Sequence, residues 1–241
     1  GISFPSANHL VFNRITITPT NAEFVSIFNP TGENVDLSNY YITDNSPSNN
    51  SPSFIYYNLP QYVGDGTIDG WSVTPYHFIA QFPSNTSIGP NDSLILSFHT
   101  DEIFNSYYGY DPDISLFEDM LDLNDTGTIS CDASSCLSLD IISNSEEALI
   151  LFYWDQQSST VKDVDYFLWG GDNNATDKTG IGDYLDDTSI ENQEYQTTHE
   201  DGYTFSRTDH NEGDENQDGN GNGISGDDET SENLTQTWTI I

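Results

Sequence analysis

Basic residues are almost missing from this sequence. Only 4 of its 241 residues are Lys or Arg, against 40 Asp and Glu, and the formal net charge at pH 7 is -36. Such a charge repels nucleic-acid phosphates and anionic lipid headgroups. We therefore expect neither a nucleic acid nor a bare membrane as a direct partner. The same charge destabilises a compact fold through self-repulsion, and bound divalent cations would reduce that cost.

Long apolar runs and catalytic signatures are missing as well. The longest apolar run, at residues 148–154, is far shorter than the about 20 residues that a membrane-spanning helix needs. The sequence contains no GxSxG nucleophile elbow, no HExxH metal motif and no phosphate-binding glycine loop with a lysine. A pair of carboxylates at glycosidase spacing would be weak evidence, because 40 acidic residues supply such pairs by abundance. The sequence predicts no catalytic residue, and we expect a non-enzymatic protein.

Cysteine is scarce too, with only Cys131 and Cys136 in the segment CDASSC. Two thiols are too few for a tetrahedral zinc site, and their spacing differs from that of a redox CxxC pair. We predict a local disulfide between them, which implies an oxidising compartment. Asn-x-Ser/Thr sequons agree with an extracellular or cell-surface location, although an Asn- and Thr-rich sequence contains them by chance.

Short segments with alternating apolar residues recur along the chain. LVFNRITIT (10–18) and AEFVSIFN (22–29) place β-branched and aromatic side chains at every second position, which predicts a hairpin. VDLSNYYITDN (35–45) predicts a short strand, a turn and a second strand. Further strands are predicted at 76–82, 93–99, 148–154, 161–168 and 237–241. Helical patterns are short, at 101–108 with Thr100 as the N-cap and at 115–123.

This pattern predicts an all-β fold, an antiparallel immunoglobulin-like β-sandwich with long loop insertions. We expect a single domain over residues 1–241. Its core strands are predicted within about 10–45, 72–99 and 143–169, with a C-terminal strand at 236–241. The predicted insertions are 45–70, 107–140 and 170–225, of which the last is acidic and rich in glycine.

Three segments together resemble the lamin tail domain, the immunoglobulin-like module that ends nuclear lamins and recurs in bacterial secreted proteins. They are EFVSIFNPTGENVDLSNYYITD (23–44), IGPNDSLILSF (88–98) and SNSEEALILFYWDQQSSTVKDVDY (143–166). The family's Gly and Trp after Leu-Ser are Asn39 and Tyr40 or Tyr41 here, and less than half of the chain is matched. The resemblance implies an extracellular, non-catalytic β domain. It also implies that Arg207 forms an ion pair that holds the fold, and we expect Arg14 to lie among carboxylates as well.

The clearest candidate site lies in the C-terminal segment. DENQDG places Asp214, Asn216 and Asp218 at alternate positions before Gly219, as in the first half of a calcium loop. The second half departs from an EF-hand, because Ser225 stands where a bidentate Glu is expected. We predict a Ca²⁺ loop closed by other ligands, and the alternative is a solvated acidic loop. The candidate ligands are Asp214, Asn216, Asp218, Asn220, Asp227, Asp228 and Glu229.

Two functional hypotheses remain open. The first is an extracellular, non-catalytic, calcium-stabilised structural or binding module of a cell surface or matrix. Its partners would be another protein or a glycan, and strand addition through residues 10–18 or the C-terminal strand would give a homo-oligomer or filament. The alternative is a calcium-dependent secreted hydrolase or a carbohydrate-binding accessory module, in which Trp71, Trp154 or Trp169 would stack on sugars.

Overall fold

The computed structural model describes residues 7–44, 55–62, 77–121 and 140–241. Cys131, Cys136 and Trp71 lie outside these ranges, so the predicted disulfide stays a prediction. Large parts of the predicted insertions at 45–70 and 107–140 are also outside the described residues.

Short β-strands account for most of the regular structure in the described residues. They are β1 (Val11–Thr16), β2 (Phe24–Phe28), β3 (Val35–Asp36), β4 (Tyr40–Thr43), β5 (Ile79–Gln81), β6 (Ser87–Ile88), β7 (Ser93–Ser97), β8 (Ile114–Ser115), β9 (Glu147–Tyr153), β10 (Lys162–Trp169), β11 (Phe205–Arg207) and β12 (Trp238–Ile240). The α-helices are α1 (Leu59–Tyr62), α2 (Asp101–Tyr108) and α3 (Leu234–Thr237). None of the helices in the described ranges is long and apolar enough to span a membrane.

The strands form two large sheets and one small one, and neither large sheet closes into a barrel. The six-stranded sheet has the order β12-β11-β1-β2-β7-β8, and the four-stranded sheet has the order β10-β9-β4-β5. The strands β3 and β6 pair with each other. Pairing is antiparallel except between β7 and β8. The predicted all-β class is therefore confirmed.

One buried core receives side chains from both large sheets. Phe12 and Leu96 of the six-stranded sheet and Ile42 and Leu151 of the four-stranded sheet are fully buried in it. Burial of each such side chain contributes about 1.5–3 kcal/mol to the free energy of unfolding. This shared core fixes the positions of the acidic residues that β10 carries.

A β-bulge in β10 sends two nearby acidic side chains to opposite faces. The register between β9 and β10 shifts between Asp163 and Asp165, which lie opposite Phe152 and Leu151. Phe152 and Leu151 are consecutive residues of β9, so they face opposite sides of the sheet. Because of the bulge, the carboxylates of the residues paired with them also face opposite sides. Asp165 reaches Arg207 of β11, whereas Asp163 reaches Tyr56.

Most of the predicted elements form, and two short-range predictions are wrong. The first hairpin is confirmed as β1 and β2, and α2 begins after Thr100, whose Oγ1 accepts a hydrogen bond from the Ile103 N–H at 3.3 Å. The helix predicted at 115–123 is wrong over its described part, because Ser115 pairs with β7 in β8. Arg14 is exposed and forms no ion pair within the described residues, so its predicted place among carboxylates is wrong too.

The two strands considered for strand addition differ in their position within the sheet. The strand β1 lies inside the six-stranded sheet, between β11 and β2, so addition there would require displacing a partner strand. The C-terminal strand β12 forms an edge of the same sheet. Edge strands present unpaired backbone groups to a further chain.

Candidate metal centre

Arg207 is the anchor around which the C-terminal segment folds. Its Nη2 donates to both carboxylate oxygens of Asp165, at 2.9 and 2.7 Å, and its Nη1 donates to Glu232 Oε1 at 2.6 Å. Its Nε donates to the Phe12 carbonyl oxygen at 2.6 Å, and the guanidinium stacks over the Trp238 ring at 4.8 Å. The side chain is completely buried. The ion pair predicted for Arg207 is therefore confirmed.

Beside this anchor, His9, Glu212 and Glu229 bring one ligand atom each to within 4.8 Å of one another. All three side chains are buried. His9 Nε2 lies 3.1 Å from Glu212 Oε2, and its Nδ1 lies 3.0 Å from the Leu10 carbonyl oxygen. Burial alone would lower the pKa of His9, but contact with Glu212 and the charge of that carboxylate outweigh it and raise the pKa to about 9. His9 is thus an imidazolium that partly neutralises Glu212.

The same buried region contains an excess of carboxylates. Glu215 is 9% exposed, and neither of its carboxylate oxygens has a hydrogen-bond partner among the described residues; the same holds for Glu229 Oε1. Burial, followed by the charges of Glu212 and Glu232, raises the pKa of Glu215 to about 10. Burial also raises the pKa of Glu229 well above its usual value.

Five buried carboxylates face only two buried cations in this region. The carboxylates belong to Asp165, Glu212, Glu215, Glu229 and Glu232, and the cations are Arg207 and His9. Placing unpaired charges in a dry interior is costly, so such groups take up protons or bind a metal ion. The raised pKa values correspond to proton uptake, and the unpartnered carboxylate oxygens are suited to metal binding.

The structure brings the two halves of the predicted calcium loop side by side. The Asp228 N–H donates to the Asn216 carbonyl oxygen at 3.0 Å, and the Gly223 N–H donates to the Asp227 carbonyl oxygen at 2.8 Å. At Gly221 a Cβ atom would lie 2.0 Å from the Asp227 carbonyl oxygen, so this close approach requires glycine. The loop therefore folds back onto residues 227–229.

The predicted ligands are nevertheless distributed over different environments. Asp214, Asn216, Asp218 and Asn220 have exposed side chains, and Asp227 is half-buried. Asp228 accepts hydrogen bonds from the Thr188 and Thr230 hydroxyl groups, each at 2.7 Å, so its carboxylate orders the turn. Of the seven predicted ligands, Glu229 is the one that lies in the cluster with His9 and Glu212.

Sequence reasoning missed His9, Glu212, Glu215 and Asp165 as members of the site. A usable signal existed for Asp165, because an acidic residue stands within the otherwise apolar DYFLW of a strand. Nothing local distinguishes Glu212 and Glu215 from the exposed acids around them. His9 is more than 200 residues away in sequence. Only chain folding shows that these residues converge.

The donor set fits a hard divalent cation better than a transition metal. Ca²⁺ binds oxygen ligands at about 2.3–2.6 Å, so two ligands of one ion lie at most about 5 Å apart. The 4.8 Å limit of the cluster satisfies this condition. Imidazole nitrogen is a poor calcium ligand, and His9 already contacts Leu10 and Glu212 with its two nitrogens. We therefore interpret His9 as a neighbour of the candidate site that contacts Glu212, and not as a metal ligand.

A second buried group lies on the opposite face of β10. Lys178 Nζ lies 2.5 Å from Asp163 Oδ2 and 2.9 Å from Asp187 Oδ2. The Tyr56 hydroxyl group contacts both Lys178 and Asp163. A third group consists of Asp44, His77 and Glu147. His77 Nδ1 lies 3.6 Å from Asp44 Oδ2 there.

Comparisons with known proteins add no functional information. No family model and no curated protein match the sequence. Among solved structures, the chain is similar to the crystal structure of a DUF4876 family protein from Bacteroides thetaiotaomicron. The two share 12% sequence identity with a TM-score of 0.47, over 96% of this chain and 70% of that one. A similarity this low carries no argument about function.

Proposed function

We propose that this protein is an extracellular, non-catalytic module of a cell surface or matrix, and that Ca²⁺ stabilises it. In this proposal its two large sheets form an immunoglobulin-like β-sandwich of the lamin-tail type. The shared core of the sheets and the resemblance of three sequence segments support the fold assignment. The observation that carries the calcium proposal is the set of buried, unpartnered oxygens of Glu215 and Glu229.

Calcium accounts for those oxygens because it removes their mutual repulsion. Glu212, Glu215 and Glu229 supply carboxylate oxygens in the dry interior, where water cannot screen them. Asp227 is half-buried beside them, and burial raises its pKa. The exposed Asp and Asn side chains of residues 214–220 are the proposed source of the further oxygens that a shell of 6–8 ligands needs. Mg²⁺ fits less well, because it loses its water reluctantly.

The proposed partner is a glycan or another protein at the cell surface. Tyr107, Tyr108, Tyr110 and Tyr203 line a cleft of about 290 Å³ together with the exposed Arg14. Tyr107, Tyr110 and Tyr203 are exposed, and an exposed tyrosine combines a flat apolar ring with a hydroxyl group, which suits contact with sugars and with protein surfaces. Trp154 and Trp169 are buried, so they cannot provide the sugar platform considered from the sequence. The cleft is the observation that favours a binding role beside the structural one.

Self-association remains part of the proposal through the edge strand β12. Its outer side has no neighbouring strand in the sheet order of the described residues. A second copy pairing there would extend the six-stranded sheet. Static light scattering over a concentration series tests this point, since a mass independent of concentration would contradict it.

The calcium proposal is tested by thermal unfolding in millimolar Ca²⁺ and in EGTA. At about 100 times the dissociation constant, bound calcium adds about 2.7 kcal/mol to the free energy of unfolding. For a chain of this length, that corresponds to a Tm increase of about 5–10 °C. No change in Tm at millimolar calcium would refute the calcium site.

Variants separate a metal ligand from a residue that only affects packing. Glu229→Gln replaces a buried carboxyl group that must take up a proton when no metal is bound, so we expect the same or a higher Tm in EGTA and loss of most of the calcium-dependent increase. Asp186→Asn is the matched control, because Asp186 is exposed and its loss changes the net charge by the same amount. The control should retain the full increase. Turnover of a panel of polysaccharides or phosphoesters by the calcium-loaded protein would overturn the non-catalytic assignment.

A further inference from the structure

Lys178 lies in an unusual environment for a lysine. Its side chain is completely buried, as is that of Tyr56, and the Asp163 side chain that it contacts is 3% exposed. Lys178 Nζ lies 2.5 Å from Asp163 Oδ2, 2.9 Å from Asp187 Oδ2 and 3.1 Å from the Tyr56 hydroxyl oxygen. The Tyr56 hydroxyl in turn donates to Asp163 Oδ1 at 2.9 Å. An amine, two carboxyl groups and a hydroxyl donor therefore share one dry site.

Aromatic rings keep water away from this group. The Tyr56 ring packs against Phe152 at 5.1 Å and against Tyr57 at 5.4 Å. Taking an ammonium and two carboxylates out of water is costly, and the attraction between them offsets the cost only with good geometry. A reaction that converts the amine and one carboxyl group into a neutral amide removes that cost permanently.

The buried Arg207 provides a comparison. Arg207 also faces buried carboxylates, but a guanidinium does not lose its proton under ordinary conditions and is not a nucleophile. Lysine becomes a nucleophile once its ammonium group gives up a proton. The chain places a lysine, and not an arginine, against Asp163. Asp187 is within hydrogen-bond distance to accept the proton.

We propose that Lys178 and Asp163 condense into an intramolecular isopeptide bond, with Asp187 as the proton acceptor and Tyr56 as the group that polarises the reacting carboxyl. The Lys178 ammonium transfers one proton to the Asp187 carboxylate. The free amine attacks Cγ of the protonated Asp163 carboxyl, the bond from Cγ to Oδ2 breaks, and the oxygen leaves as water with the carboxyl proton and one amine proton. The products are an amide, a neutral Asp187 and one water molecule, so atoms and charge balance without an oxidant or cofactor.

Two physical conditions favour this step, and a third opposes it. Burial raises the pKa of Asp163, so its carboxyl group carries a proton more readily than in water. Burial lowers the pKa of Lys178, but Asp163 and Asp187 outweigh it and favour the ammonium, which is why a proton acceptor at 2.9 Å is needed. Holding the reacting groups in contact replaces a bimolecular encounter, and such intramolecular reactions reach effective concentrations of about 10⁵–10⁸ M.

The bond would tie β10 to the acidic segment that follows it. Asp163 lies at the bulge of β10, and Lys178 follows 15 residues later. Asp187 also accepts a hydrogen bond from the Lys178 backbone N–H, at 2.8 Å, so the segment is already folded around the reacting pair. The amide would hold this loop closed in the unfolded chain. This proposal is independent of calcium binding.

Intact mass spectrometry of the full, denatured and reduced chain tests the proposal directly. Loss of one water lowers the mass by about 18 Da relative to the sequence, and fragmentation of a protease digest should show one peptide pair joined through positions 163 and 178. A wild-type mass equal to that of the sequence would overturn the proposal, whether or not any variant folds.

Variants distinguish this bond from other losses of water. Lys178→Arg keeps the positive charge but cannot form the amide, and Asp187→Asn removes the proton acceptor; both should show the full sequence mass. Asp186→Asn, an exposed neighbour, should keep the loss of about 18 Da. Persistence of the loss in Lys178→Arg would place it elsewhere, for example in a succinimide at an Asp-Gly sequence, and would overturn the proposal.

Discussion

Replacement of Arg207 by methionine tests the main electrostatic anchor of the fold. The substitution keeps an unbranched side chain against Trp238 but removes every hydrogen bond to Asp165, Glu232 and the Phe12 carbonyl oxygen. Breaking a buried ion pair from one side costs about 3–5 kcal/mol, because the remaining carboxylates stay buried without a partner. For a chain of this length, we expect Tm to fall by about 6–20 °C.

The matched control is Arg14→Met. Each variant removes one positive charge from a chain of net charge -36, so both change the overall repulsion equally. Arg14 is exposed and has no ion pair within the described residues, and its replacement should change the free energy of unfolding by at most about 0.5 kcal/mol. Urea unfolding at constant salt and calcium measures both variants. Equal effects of the two substitutions would show that the local ion-pair network, as described, does not stabilise the protein.

Three further predictions concern the backbone and pH. Gly170→Ala and Gly109→Ala both place a side chain at φ +78, but only at Gly170 would the new Cβ lie 1.8 Å from the Ser145 carbonyl oxygen. In urea unfolding we expect the free energy of unfolding to fall by about 1–2 kcal/mol for Gly109→Ala and by clearly more for Gly170→Ala. Equal losses would contradict the close approach at Gly170. Thr100→Ala should cost about 1 kcal/mol through loss of the N-cap of α2, measured in the same way. Burial, followed by the charge of Asp44, raises the pKa of Glu147 from 4.5 to about 10. The folded state then holds a proton that the unfolded state has lost, so wild-type stability should fall as pH rises through this window, whereas Glu147→Gln should lose less. If the free energy of unfolding fell equally with pH in the wild type and in Glu147→Gln, the raised pKa would not belong to Glu147.

Elements with a clear local pattern could be predicted from the sequence. Segments rich in β-branched and aromatic residues predicted β1, β2, β4, β7, β9 and β10, with alternation in β1 and β2 and a continuous apolar run in β9, and a capping threonine predicted α2. Both kinds of signal arise within a few residues of the chain. The two- and three-residue strands β6, β8 and β11 have no periodicity to read. They form because a neighbouring strand supplies backbone partners. The same pairing of β8 with β7 overrode the helical pattern at residues 115–121.

The candidate site shows the same division. The glycine-rich acidic loop, with Gly219 at φ +81 and Gly226 at φ +88, was predictable as a tight turn segment, whereas the convergence of its side-chain oxygens on one ion stays a prediction. Which acids become buried was not predictable, since Glu215 and Glu229 resemble exposed neighbours such as Asp214 in every local respect. Glu229, for example, is buried beside His9 and Glu212, and His9 reaches this region only through chain folding.

By itself, the sequence determined that the chain is strand-rich, strongly anionic and dense in oxygen ligands near its C-terminus, because composition and short-range periodicity act locally. The tertiary structure alone decided which charges meet. It placed Asp163 and Asp165 on opposite faces of β10 and brought His9 to Glu212 and Lys178 to Asp163. The energy of a charge depends on its distance from other charges and from water, and both are set by chain folding over long sequence separations.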